Sequence, residues 1–197
     1  MEAREIIGKQ LNGRVEDLLR GAEQFFGPRV RSYQTGVFFL DVGPMLHVQG
    51  DLALIVLSED AWQYPDQALH QLAHEVVHLL SPLPGEPLAC MLEEGAAVWF
   101  SIFGPAFRSG YRDLAAGYIQ RDPSSANYRD ALALYEELIG LHPRAVQTIR
   151  ERQPSFHELN AADLVATIPG VTPAFADRLL ERRQMRDRIT IAPKPSA

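Results

Sequence analysis

The stretch His74-Glu75-Val76-Val77-His78 places two histidines four residues apart with a glutamate between them, and an acidic pair, Glu93-Glu94, follows downstream. On a helix, a four-residue spacing is slightly more than one turn, so His74 and His78 project from one face. Two imidazole nitrogens on adjacent turns can then reach one metal ion. Glu75 lies about 100° round the helix from His74. It can stand beside the ion without binding it and take a proton from a metal-bound water. The flanking residues Leu69, Leu72, Ala73, Val76, Val77, Leu79 and Leu80 are apolar, as a buried active-site helix requires.

A catalytic metal needs a third protein ligand and an open coordination position. A metzincin continuation would need Gly at 81 and His at 84, where this chain has Ser81 and Pro84. His47, His142 and His157 have no spacing that marks them as ligands. His70, one turn before His74, reads as a rim residue, and Cys90 reads as a small core residue. The remaining option is a glutamate from the next helix.

Leu92-Glu93-Glu94-Gly95-Ala96-Ala97 resembles the gluzincin metallopeptidases, whose second helix carries a Leu-Asn-Glu-Gly-Phe-Ala-like segment. The resemblance covers about residues 60–103. It implies zinc held by His74, His78 and Glu94, with Glu93 as the fallback ligand. It also implies hydrolysis of a peptide or protein substrate with Glu75 as general base. The oxyanion donor in this family is a Tyr or His, for which Tyr111, Tyr118, Tyr128 and His142 are candidates. Two features depart from the pattern. The gap between His78 and Glu94 holds only 15 residues, among them Pro82, Pro84 and Pro87. The thermolysin type carries an Asp one turn after the ligand Glu, and this chain has Val98 there. Asp113 or a backbone carbonyl is then expected to orient His74.

The elements that must position these residues are legible as periodicities. Ile6, Ile7, Leu11, Val15, Leu18 and Leu19 fall on one face of a helix over 3–20. The runs 36–42, 45–49 and 52–57 read as strands of a meander, divided by Gly43-Pro44 and Gly50-Asp51. A helix is expected from Pro65 to about Leu80, stopping before Ser81-Pro82, and a second from about Leu88 to Phe103. Further helices are expected at about 108–120, 128–141, 143–152, 160–167 and 173–187. The fold class is α+β. The resemblance makes it zincin-like, with a small antiparallel or mixed sheet packed on the active-site helix and a mainly helical C-terminal part. An edge strand of that sheet could hold an extended peptide.

Residues 158–184 resemble a helix-hairpin-helix element, with Leu164, Ile168, Leu179 and Leu180 flanking Pro169-Gly170. Nucleic-acid-binding hairpins use such a turn to contact phosphate, supported here by Arg178, Arg182, Arg183, Arg186 and Arg188. Thr172 stands where those hairpins usually have a second Gly, and Asp177, Glu181 and Asp187 interrupt the arginines. The favoured reading is therefore a hairpin packed on the main domain. A non-catalytic zincin-like scaffold that binds a protein or nucleic acid through this hairpin is the alternative function. The expected organisation is a metallopeptidase domain over 1–153, the hairpin over 154–188 and a flexible tail over 189–197.

The formal net charge of −6 argues against a general nucleic-acid or membrane-surface binder. One cysteine excludes an intramolecular disulfide framework. The N-terminus has no apolar run of the signal-peptide kind, and no stretch is long enough to span a bilayer, so the expected location is cytoplasmic.

Overall fold

The computed structural model describes residues 3–82, 88–104, 110–121 and 123–185. Among these residues the strands are β1 (Gln34–Leu40), β2 (Met45–Gln49) and β3 (Leu52–Ser58). They do not form the expected meander. The order is β1-β3-β2, with β1 parallel and β2 antiparallel to the central β3. The link between β1 and β2 must therefore pass over the end of β3. Gly43 makes this passage possible, because a Cβ there would come within 2.7 Å of the Leu57 backbone. The β2–β3 hairpin follows the sequence-based expectation, turning at Gly50 with φ 61°.

The N-terminal helix is two helices, α1 (Ala3–Asn12) and α2 (Val15–Phe26). The break falls at Gly13-Arg14, and the side chain of Asn12 accepts a hydrogen bond from Thr35 of β1 at 3.1 Å. This turns α1 onto the outer edge of β1, where Arg4 bonds the Phe39 carbonyl. The inner face of the sheet buries Val37, Phe39, Ala53, Ile55 and Leu57 against the helices.

Beneath the sheet runs α3 (Pro65–His78), with Pro65 at its first turn, where a missing N–H costs nothing. Gln71 on α3 accepts from the Ser58 amide at 2.9 Å and donates to the Ser58 hydroxyl at 2.9 Å. This reciprocal pair pins the end of β3 to α3 and sets the rotation of the helix under the sheet. Next come α4 (Met91–Phe103), α5 (Tyr111–Arg121), α6 (Ala126–Leu141), α7 (Ala145–Arg152), α8 (Ala161–Thr167) and α9 (Pro173–Leu180).

The C-terminal pair is built into the core. Leu164, Ile168, Val171, Phe175, Ala176 and Leu179 belong to the same apolar cluster as α2, α3 and α4. Thr172, the departure from the hairpin pattern, caps α9 by accepting from the Phe175 amide at 3.2 Å. The helix ends at Leu180, earlier than its periodicity suggests, because the next residues extend and pair with the start of α4. Arg186, Arg188 and the expected tail lie outside the described residues, as do Pro84 and Pro87. Among the described residues, no helix is long and apolar enough to cross a membrane.

Candidate metal centre

His74 and His78 leave α3 on adjacent turns, and their Nε2 atoms are 3.2 Å apart. Glu94, in the first turn of α4, sets its Oε2 3.4 Å from Nε2 of His74 and 3.9 Å from Nε2 of His78. The three residues form a group able to hold a metal ion. Tetrahedral coordination at about 2.0–2.1 Å gives a donor–donor edge of about 3.3 Å. The triangle's edges of 3.2, 3.4 and 3.9 Å are close to those of one face of such a tetrahedron. Oε2 of Glu94 is buried and has no hydrogen-bond partner. A buried carboxylate oxygen without a donor is what a cation would satisfy.

Glu93 has a different role from its neighbour. Its Oε1 lies 2.9 Å from Nδ1 of His78, on the ring edge facing away from the triangle. The side chain is almost wholly enclosed, the residue being 1% exposed. Glu94 is thus the ligand candidate, and Glu93 is the acceptor that turns the His78 ring. This carboxylate–histidine contact is the type that fixes a metal-binding imidazole. Burial opposes charge on His78, but the hydrogen bond to Glu93 and the charges of Glu94 and Glu93 outweigh it and hold the group up at about 10. Burial likewise opposes the Glu94 carboxylate, and the contact with His74 and the charge of His78 bring it below its ordinary range.

Glu75 is 4% exposed and borders the same cleft as the triangle. Burial raises its pKa above the ordinary carboxylate value, only partly opposed by the charges of His74 and His78. His70 is not part of the group. Its Nδ1 meets the Ser101 carbonyl at 3.1 Å inside α4, and burial drives its pKa down to about 3. Cys90 is buried at the start of α4, with its thiol pushed up to about 12 by burial, and remains a core residue.

Val98 is fully enclosed in an apolar cluster with Ile102, Tyr111, Ala115, Ile119, Tyr128 and Leu132, which leaves no place for an Asp. Asp113, an expected partner of His74, is exposed at the start of α5. What flanks His74 is the ring of Tyr128, edge-on at 5.9 Å between centroids. The small residues after Glu94 do not all face α3. Gly95 faces α6, not α3, and a Cβ there would run into the Ala131 carbonyl and come within 2.7 Å of Tyr135 Cβ. Ala96 and Ala97 are fully buried in the core.

The triangle opens into a cleft of about 730 Å³. The cleft is lined by the 41–44 link and β2, through Met45, Leu46 and Val48, and by Tyr128, His157 and residues 183–185. Of the donor candidates Tyr111, Tyr118, Tyr128 and His142, Tyr128 lines this cleft. The side chain of Tyr118 lies outside the described residues. His157 and Arg183 are among the cleft residues that sequence reasoning did not assign to it. Their spacing from the motif carries no signal, because both arrive through the packing of the C-terminal pair. Arg182 and Arg183 are also engaged within the chain. Arg182 donates to the Leu88 carbonyl, and Arg183 pairs with Asp130 and Glu181.

Comparison of this chain with protein-family models, with curated proteins and with solved structures finds no match.

Proposed function

We propose that this protein is a zinc-dependent peptidase of the gluzincin kind on a zincin-like scaffold. The observation that carries the reading is the triangle of His74 Nε2, His78 Nε2 and Glu94 Oε2, with Glu75 beside it in an open cleft. Zinc is the ion most consistent with two imidazoles, one carboxylate and a tetrahedral face. When bound, it lowers the pKa of a coordinated water toward neutral and polarises a carbonyl.

The chain's own residues supply the rest. His74, His78 and Glu94 hold the ion, and Glu93 keeps Nε2 of His78 turned toward it. Glu75 accepts the proton of the attacking water and hands it to the departing amine. Its burial suits that task, because a base with a raised pKa also serves as the acid that follows. Tyr128, which lines the cleft, is the candidate donor to a developing oxyanion. Among the described residues β2 pairs with β3 alone, so its outer edge can take an extended peptide alongside the cleft.

Metal analysis of the purified protein, with hydrolysis of an unfolded protein substrate, tests the reading. The expected result is close to one zinc per chain. Glu75→Gln should keep the metal and lose hydrolysis. Wild-type protein that takes up no zinc, or an active Glu75→Gln variant, would defeat the proposal.

A further inference from the structure

We infer that residues 181–185 are a positioning element of the metal centre, holding the first turn of α4 so that Glu93 and Glu94 meet the histidines of α3. This inference rests on the metal-binding reading above. Helix starts leave backbone N–H groups without partners. The residue before α4, Cys90, offers no side-chain cap. Instead the Met91 amide donates to the Glu181 carbonyl at 2.9 Å, and Cys90 and Arg182 pair as an antiparallel bridge. The helix that carries both glutamates is thus capped by a segment about ninety residues further along the chain.

Arg182 adds a second tie. Its guanidinium donates to the Leu88 carbonyl at 2.6 Å, on the approach to α4, and to the His157 carbonyl at 3.4 Å. His157 is itself fixed by Nε2 to the Ser81 carbonyl at 2.9 Å, just past α3, and sets its Nδ1 4.0 Å from Oε2 of Glu93. The start of α4, the end of α3 and residue 157 are therefore drawn together beside the histidine pair.

The far side of the segment is anchored to α6. Asn127 donates to the Gln184 carbonyl at 3.1 Å, and Arg183 meets Asp130 at 3.0 Å. Gly95 rests on this same helix, so α4 is held between α6 and the segment. Functional constellations tolerate displacements of only about half an ångström. A slip of the first turn of α4 would open the donor triangle, and Met91 and Leu92 of that turn are buried in the same core as α3.

Reciprocity separates this role from simple packing. If the segment favours the geometry that binds metal, metal must in turn stabilise the segment. The test measures zinc affinity by chelator competition in the full-length wild type, Arg182→Ala and Arg182→Lys. Hydrogen exchange of the wild type and of Glu94→Ala is followed with and without zinc. The expected results are a loss of about tenfold in zinc affinity for Arg182→Ala, in the range typical of outer residues around a metal, and an intermediate loss for Arg182→Lys, which keeps the charge but not the fork. Zinc should also slow exchange at Met91 and across 181–185 in the wild type and have no effect in Glu94→Ala. An Arg182→Ala affinity within about twofold of wild type, or exchange at these amides indifferent to zinc, would overturn the inference while leaving the metal centre intact. A wild type that takes up no zinc would overturn both.

Discussion

Nδ1 of His78 lies 2.9 Å from Oε1 of Glu93, while the adjacent Glu94 turns its Oε2 toward the Nε2 atoms of His74 and His78. Neighbouring residues on a helix point about 100° apart. Two consecutive glutamates can therefore address two different edges of one histidine pair.

That division of labour predicts unequal consequences. Glu94→Gln should abolish stoichiometric zinc binding, because it removes a charged ligand. Glu93→Gln keeps a hydrogen-bond acceptor for His78 and should retain the metal with about tenfold weaker affinity. Zinc titration of the two variants checks this. Equal losses would show that the two carboxylates share the coordination.

Arg150 predicts a large stability effect far from the cleft. It is 2% exposed and donates to the carbonyls of Phe26, Gly27, Pro28, Leu80 and Pro154. It thereby joins the ends of α2, α3 and α7. Burial lowers its pKa to about 10, so it stays charged at neutral pH. Arg150→Ala leaves several buried acceptors without donors and should cost about 3 kcal/mol or more. Arg150→Lys should recover only part of that, since one ammonium cannot span the five carbonyls. Denaturant unfolding measures both.

The surface of α2 predicts a pH dependence. Arg29 bonds Glu23 at 2.8 Å and Glu16 at 2.9 Å, and these hydrogen bonds hold both carboxyls below their ordinary values despite partial burial. A carboxylate whose pKa is lower folded than unfolded adds stability above the unfolded value, and that stability disappears as pH falls through the folded value. Arg29→Met should therefore lower the melting temperature modestly at pH 7 and much less near pH 3. Melting curves from pH 7 to 3 for both proteins test this; a constant difference would exclude the linkage.

Much of this molecule was readable from residue order because it depends on near neighbours along the chain. The His74–His78 spacing, the Pro65 start of α3, the Gly50 turn and the placement of Glu75 beside the histidines are local. Each follows from helix or turn geometry over a few residues. The sheet was less legible. β1, β2 and β3 were each visible, but pairing is a long-range choice, and β1 lies beside β3 because the Gly43 link can cross Leu57. The break at Gly13 was hidden by an apolar stripe that runs through it. The Leu92–Ala97 segment pointed to Glu94, but the contact of Glu93 with His78, the burial of Val98, the contact of Gly95 with α6 and the arrival of His157 and residues 181–185 at the cleft were not in the local pattern at all. They follow from how α4 sits against α3 and α6, a position set by core packing and by a backbone pairing between distant parts of the chain.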